Sequence, residues 1–314
     1  MDVVYPLGTG SKWNNHELHY SLRCLEENLK GVRNVYVVGE NPNLKNVIHI
    51  PYPDVLVNNA DGNITNKVLR VCKEKSLSDD FLFINDDHLI FKPIEISKFP
   101  NFFKFDLETK PDKYFRGNLW RRRLHRTFKE LQKRGLPTLH FDCHTPIIFN
   151  KKKCLQVFSH FDYKQGIGYT MKSIYANAAK VKPTQLNGEK VLVTKPHTQS
   201  ELNELTENTT IVSLKDEAIT PDLKYFLAKK YPKKSKFEKV SIPKEFDKEL
   251  ILWLENPKRK YDAGVVLFEK EIGNKPLINY FRGNSDRNKQ FKKLSYYLNQ
   301  LAGRDLDTQY SIAL

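Results

Sequence analysis

Cysteine is scarce: four among 314 residues, at Cys24, Cys72, Cys143 and Cys154, with no CxxC pair. That excludes a disulfide scaffold and is what free thiols in a reducing compartment look like. A zinc site built from Cys143, His144, Cys154 and His160 would match no familiar finger spacing. Long apolar runs are missing too. Leu250-Ile251-Leu252-Trp253-Leu254 is among the longest, far short of the roughly 20 residues that span a bilayer. The start, Met1-Asp2-Val3-Val4-Tyr5-Pro6, has no basic region before its short apolar stretch, so no targeting segment is read and a cytoplasmic setting is expected. There is no GxSxG elbow and no GxxxxGK[ST] loop, and Gly8-Thr9-Gly10 lacks the third glycine of a dinucleotide fingerprint. Internal repeats are absent. Acidic residues are in deficit: 37 Asp and Glu against 52 Lys and Arg give a net charge of +15. Such an excess favours an anionic partner, whether nucleotide, nucleic acid, acidic glycan or membrane face.

What is present is enough for a folded core, with 39% hydrophobic and 12% aromatic residues. Val3 to Leu7 reads as a strand running into the turn Gly8-Thr9-Gly10-Ser11. Asn14 or Asn15 can cap a helix to about Leu29, with Leu18, Leu22, Leu25 and Leu29 at helical spacing. Strands follow at Val35–Gly39 and Val47–Pro51, a helix at Asp61–Cys72, and a buried strand at Phe81–Ile84. Near-continuous apolar strands alternating with helices predict an α/β fold, a mostly parallel sheet flanked by helices. Beyond it, Leu139 to Phe149 reads as a strand, Tyr169 to Ala178 as a helix, Pro196 to Thr210 as a polar loop, and Ile211 to Leu214 as a strand. Lysines clustered around Pro232 mark a solvated linker. The expected division is a catalytic domain over 1–220, a basic linker over 221–243, and a small basic helical domain over 244–314.

Ligands in parallel sheets bind at the carboxyl ends of the strands. Gly8 to Ser11 and Asn85-Asp86-Asp87-His88 both fall there, which predicts one shared cleft. Two adjacent carboxylates after four buried apolar residues carry a large desolvation and repulsion cost unless a cation neutralises them. A divalent metal bridging to a diphosphate is the usual answer, and oxygen ligands suit Mg²⁺ or Mn²⁺. A polar turn or helix cap is the bland alternative. Asp142 and His144, two apart on the expected strand, would share a side and could supply a general base and a further metal or phosphate ligand. From Lys113 to Arg134 there are nine basic residues against the single acidic Glu130. Arg116, Trp120, Arg121, Arg122, Arg123 and Arg126 could hold a nucleic-acid backbone, with Trp120 stacking on a base, or could simply be a solvated helix face.

Val3-Val4-Tyr5, Asn15-His16-Glu17-Leu18-His19-Tyr20-Ser21-Leu22-Arg23, Val35-Tyr36-Val37-Val38 and Phe81-Leu82-Phe83-Ile84-Asn85-Asp86-Asp87 together resemble the Stealth family of capsular polysaccharide sugar-phosphate transferases. More broadly they resemble a GT-A-type nucleotide-sugar transferase. The likeness resumes around His144-Thr145-Pro146, where Stealth proteins also carry a His followed by Pro. It implies a GT-A-like fold, a nucleotide-sugar donor (a UDP-sugar by expectation) and Mn²⁺ or Mg²⁺. Gly8, Thr9 and Gly10 would let the backbone approach the nucleotide. Arg23 would contact phosphate, and Asp61, Asn63 and Lys67 would hold the donor sugar or its phosphates. Asp87 would be the metal ligand, Asp86 would contact ribose, sugar or metal, and His88 could add a donor contact. Asp142, His144 and Asp87 form the expected catalytic set, with His144 a further metal ligand. The implied reaction is metal-dependent transfer of a sugar to an acceptor hydroxyl. The acceptor is a glycan or, by analogy with DNA-modifying glycosyltransferases, a modified nucleic-acid base. Transfer of a sugar phosphate and a non-catalytic nucleic-acid-binding protein on a degenerate transferase fold are the alternatives.

Overall fold

The computed structural model describes residues 1–239 apart from Lys12, Asn14 and Glu189. The first half carries β1 (Asp2–Leu7), α1 (His16–Asn28), β2 (Leu29–Lys30), β3 (Val35–Gly39), β4 (Ile48–Pro51), α2 (Ala60–Val71), β5 (Asp80–Phe83), β6 (His88–Ile90), β7 (Ile94–Glu95) and β8 (Phe102–Phe103). It continues through α3 (Leu119–Lys133), β9 (Ile147–Asn150), α4 (Lys151–Ser159), α5 (Met171–Ala178), β10 (Thr184–Gln185), β11 (Lys190–Val193), α6 (Gln199–Asn208), β12 (Ile211–Leu214) and α7 (Pro221–Lys230).

The runs Val3–Leu7, Val35–Val38 and Phe81–Phe83 are apolar at nearly every position because their strands are covered on both faces. They build a five-stranded sheet in the order β4-β3-β1-β5-β9, parallel except for β9. Side chains alternate between its two faces. Val4, Tyr36, Val38, Phe81 and Phe83 pack against Val68 and Val71 of α2, Cys154 of α4 and Ile174 of α5. Val3, Tyr5, Val35, Val37 and Leu82 pack against Leu18, Leu22 and Leu25 of α1. The fold is thus α/β, a mostly parallel sheet flanked by helices, as the sequence predicts.

A second sheet, β11-β12-β6, lies over the other side of α1. It pairs Ser213 of β12 with His88 of β6, bringing β12 beside the Asn85–His88 turn. At the carboxyl edge of the main sheet Gly39 sits at φ +130°, and a Cβ there would lie 1.9 Å from the Leu7 carbonyl oxygen. Only glycine lets β1 and β3 end so close together.

Three expectations are corrected. The strand expected from Leu139 is confined to Ile147–Asn150, preceded by a bend with His144 at φ 55°. The polar stretch after Pro196 is not a loop: Thr198 and Glu201 form a capping box, and Leu202 and Thr206 turn inward from α6. One buried residue per turn is too thin a stripe to show as a helical period. Where a solvated linker is expected from residue 221, Thr220 caps α7, Pro221 opens it, and Leu223, Phe226 and Leu227 pack beside Trp13 and Tyr20. The chain then returns to α1 through Glu238. Residues 240–243 and the helical domain expected over 244–314 lie outside the described residues.

The four cysteines are free thiols, all buried. No described helix is long and apolar enough to cross a membrane.

Candidate functional site

A cleft of about 860 Å³ opens at the carboxyl ends of β1, β5 and β12. Its floor is the turn after β1, with Gly8, Gly10 and Ser11, and the turn after β5, with Asn85, Asp86 and Asp87. One wall is α2 with its cap, through Asn59, Asn63 and Lys67, together with the start of α3, through Trp120 and Arg123. Glu17 of α1 and the segment after β12, Lys215 to Glu217, form the other.

The acidic side is poorly compensated. Burial pushes the Asp86 carboxyl up to about 7, aided by the charges of Asp87 and Glu17. Glu17, 6% exposed, is raised by burial and by Asp216 and Asp87, with a hydrogen bond from Ser11 opposing the rise. One Glu17 carboxylate oxygen, Oε2, and the Asn85 amide oxygen are buried without a hydrogen-bond partner. Asp87 is held more firmly. Ser213 Oγ donates to its Oδ2 at 2.7 Å, the Leu214 amide donates to its carbonyl at 3.0 Å, and His88 Nε2 faces its Oδ1 at 3.8 Å. The buried His88 ring accepts the Asn85 amide on Nδ1 at 3.4 Å, so His88 braces the turn from below.

The basic side is a set of fixed charges. Lys67, 2% exposed, donates to the Leu7 carbonyl at 2.8 Å and pairs with Asp54 at 2.7 Å. Arg123 pairs with Asp61 at 2.6 Å and donates to the Ile167 and Asn58 carbonyls. Burial raises the Asp61 carboxyl, nearby Asp142 adds to the rise, and Arg123 pulls against it. Lys215 is exposed on the rim.

Of the residues singled out from sequence, the cleft gathers Gly8, Gly10, Asn63, Lys67, Asp86, Asp87, Trp120 and Arg123. Several occupy other positions. Thr9 is exposed and outside the lining. Arg23 is buried on α1, its guanidinium spanning both oxygens of Glu238 at 2.7 and 2.6 Å and the Tyr231 carbonyl at 2.8 Å. That geometry replaces the expected phosphate contact. Asn63 lines the cleft, but its carboxamide is committed: Oδ1 accepts the Val55 and Leu56 amides and Nδ2 donates to the Leu56 carbonyl. Asp61 faces Arg123 and is not part of the lining.

Asp142 lies off the cleft and accepts the Lys172 and Ser173 amides and the Ser173 hydroxyl at the start of α5. His144 is half-buried in the bend, also outside the lining. The shared side expected for these two assumed a strand that does not form. Arg116, Arg121 and Arg122 are exposed, and Arg126 covers the Tyr169 ring, so of the six residues singled out there only Trp120 and Arg123 reach the cleft.

Sequence reasoning missed Ser213 and the Lys215–Glu217 wall, which enter only through the pairing of β12 with β6. Glu17 stood in the Glu-Leu-His-Tyr-Ser-Leu-Arg string, and its burial on a polar helix start was the available signal.

Among the described residues no three His, Cys, Asp or Glu side chains form a closed metal cage. An open half-site fits the donors present. Mg²⁺ and Mn²⁺ are commonly held by one or two carboxylates, with substrate phosphates and water completing the shell. Glu17 Oε2 and the Asn85 oxygen lack a donor, and Asp86 stays raised although the backbone amides of Asp86 and Asp87 bond to it.

No protein-family model matches the chain, and no curated protein is similar to it. Two solved structures of LgtC show some likeness. The first is an active-site mutant, with 15% identity, a TM-score of 0.43, and cover of 75% of this chain and 98% of that one. The second is the galactosyltransferase LgtC in complex with donor and acceptor sugar analogues, with 13% identity, a TM-score of 0.40, and cover of 70% and 88%. At TM-scores this low neither likeness bears on the chemistry of the cleft.

Proposed function

We propose that the chain is a divalent-cation-dependent transferase that binds a nucleotide diphosphate sugar in this cleft and moves the sugar to an acceptor hydroxyl. The observation that carries the reading is the meeting of Asp86, Asp87 and buried Glu17 in one open cleft with Lys67 and Lys215. A carboxylate wall repels a diphosphate unless a cation stands between them, so the wall and the basic groups suit such a ligand together. Bound Mn²⁺ or Mg²⁺ supplies positive charge for the leaving diphosphate.

The chain's own groups divide the remaining work. Asp87, fixed by Ser213, and Asp86 hold the cation. The glycines after β1 leave the backbone open to the nucleotide. Lys215 adds charge at the rim, and Lys67 holds the edge of β1 in place. Glu17, which lines the cleft and is raised by burial, takes the acceptor's hydroxyl proton, the role expected of Asp142 or His144. Trp120 offers a flat apolar surface to a sugar ring or other planar acceptor.

Chromatography of the full chain with a panel of nucleotide sugars, UDP-sugars first, and Mn²⁺ tests this. Release of a nucleoside diphosphate that falls about a hundredfold or more in Asp87→Asn, with the fold intact, is the expected result. Release of a nucleoside monophosphate would mean sugar-phosphate transfer instead. No release from any donor, or release indifferent to Asp87 and to chelator, would overturn the proposal.

A further inference from the structure

Among the described residues the exposed large aliphatic side chains are Ile48, Val55 and Val57, at 38, 62 and 85%. Two of the three sit on one short loop at the mouth of the cleft, flanking Leu56, which lines it. The loop is tied down rather than loose. Asn63 binds the Val55 and Leu56 amides, Asp54 pairs with Lys67, and Arg123 donates to the Asn58 carbonyl at 3.3 Å. Val55 and Val57 are therefore held in water by a fixed backbone.

The neighbouring rim has a complementary character. Arg123 joins the loop to the start of α3, where Leu119 and the half-buried Trp120 line the same mouth. Arg116 and Arg122 are exposed around that turn without a carboxylate partner among the described residues, whereas Arg121 lies over the Tyr114 ring. Aliphatic tips beside unpaired arginines and an amphipathic indole match the layering of an anionic bilayer, with acyl chains beneath phosphate headgroups. Single-stranded nucleic acid would call for ring surfaces at the tips, where this rim has valines.

We propose that this rim docks on an anionic lipid surface, with Val55 and Val57 entering the acyl boundary and Arg116 and Arg122 meeting headgroup phosphates. The docking would set the cleft mouth against the membrane, where a lipid-anchored acceptor would meet it. It does not depend on the reaction proposed for the cleft, and its test reads no turnover.

Flotation of the full chain with phosphatidylcholine vesicles, with and without phosphatidylglycerol, at near-physiological salt provides that test. Binding to the anionic vesicles is expected, weakened about tenfold or more in Val55→Asp/Val57→Asp and in Arg116→Glu/Arg122→Glu. All four side chains are exposed, so both variants should keep the parent melting temperature. Absence of binding to anionic vesicles would overturn the proposal. So would binding undiminished in the valine variant, which would reduce the contact to general basic charge. Failure on vesicles with binding of single-stranded DNA would assign the rim to nucleic acid and overturn it equally.

Discussion

Replacing Arg23 by leucine separates a structural latch from a phosphate ligand. In the fold, Arg23 makes two parallel hydrogen bonds to Glu238, whose side chain is fully buried, and a third to the Tyr231 carbonyl. The Ser235 amide also donates to Glu238, and His19 Nδ1 stands 3.4 Å away. Burial alone would raise the Glu238 carboxyl, but these donors outweigh it and bring it from 4.5 to about 2. Such a fall stabilises the folded chain at pH 7 by at most roughly 3 kcal/mol, about 2 kcal/mol after allowance for solvent screening. Because the folded value is the lower one, this contribution is fully present above the unfolded value near 4.5. It drains away as pH falls towards about 2. Arg23→Leu also strands a buried carboxylate, so its cost should reach about 3–5 kcal/mol in urea unfolding. Glu238→Leu should cost a similar amount, and the double variant less than the sum. Nucleotide affinity per folded molecule should not change. A loss below about 1 kcal/mol in Arg23→Leu, or weakened nucleotide binding at full stability, would refute the latch.

Ser213→Ala removes the donor to Asp87 and should weaken Mn²⁺ binding about tenfold, followed by electron spin resonance of the unbound ion, while Ser213→Thr retains it. Without a divalent cation the raised Asp86 carboxyl should cost stability as pH rises through about 7, because its folded value lies above the unfolded one, and the raised Glu17 carboxyl adds a loss in the same direction; Mn²⁺ should restore the loss in a melting series. Asn63→Ala deletes three loop hydrogen bonds and should cost about 1–3 kcal/mol, with faster hydrogen exchange at the Val55 and Leu56 amides. Gly39→Ala forces a Cβ against the Leu7 carbonyl at positive φ and should cost about 3 kcal/mol or more in unfolding experiments.

The parallel sheet was legible because its strands are apolar at almost every position, a pattern that only burial on both faces demands. Asp86 and Asp87 were legible for a related reason, being carboxylates placed where such a strand ends. What escaped notice depends on contacts distant in sequence. Ser213 reaches Asp87 across 126 positions through the pairing of β12 with β6, and nothing local to Ile211–Leu214 announces it. Arg23 and Asn63 were read as ligands through the family resemblance, Asn63 also because it shares a helical face with Lys67. Their partners, Glu238 and the Val55–Leu56 backbone, are set by tertiary packing and by an irregular loop without periodicity. Asp142 misled through a wrong period: alternation on a strand was assumed where the chain bends at His144. The helix α6 was hidden by polarity, since a capping box and two inward residues suffice to place it against the second sheet.

The central claim is that the cleft binds a nucleotide diphosphate through a cation held at Asp87, and calorimetric titration tests it most directly. Titrating UDP into the full chain with and without Mn²⁺, and repeating with Asp87→Asn, isolates that contact. The account predicts binding that needs the cation and is lost in the variant while its melting temperature in the absence of ligand is kept. Binding of equal strength without Mn²⁺, or undiminished in Asp87→Asn, would contradict it.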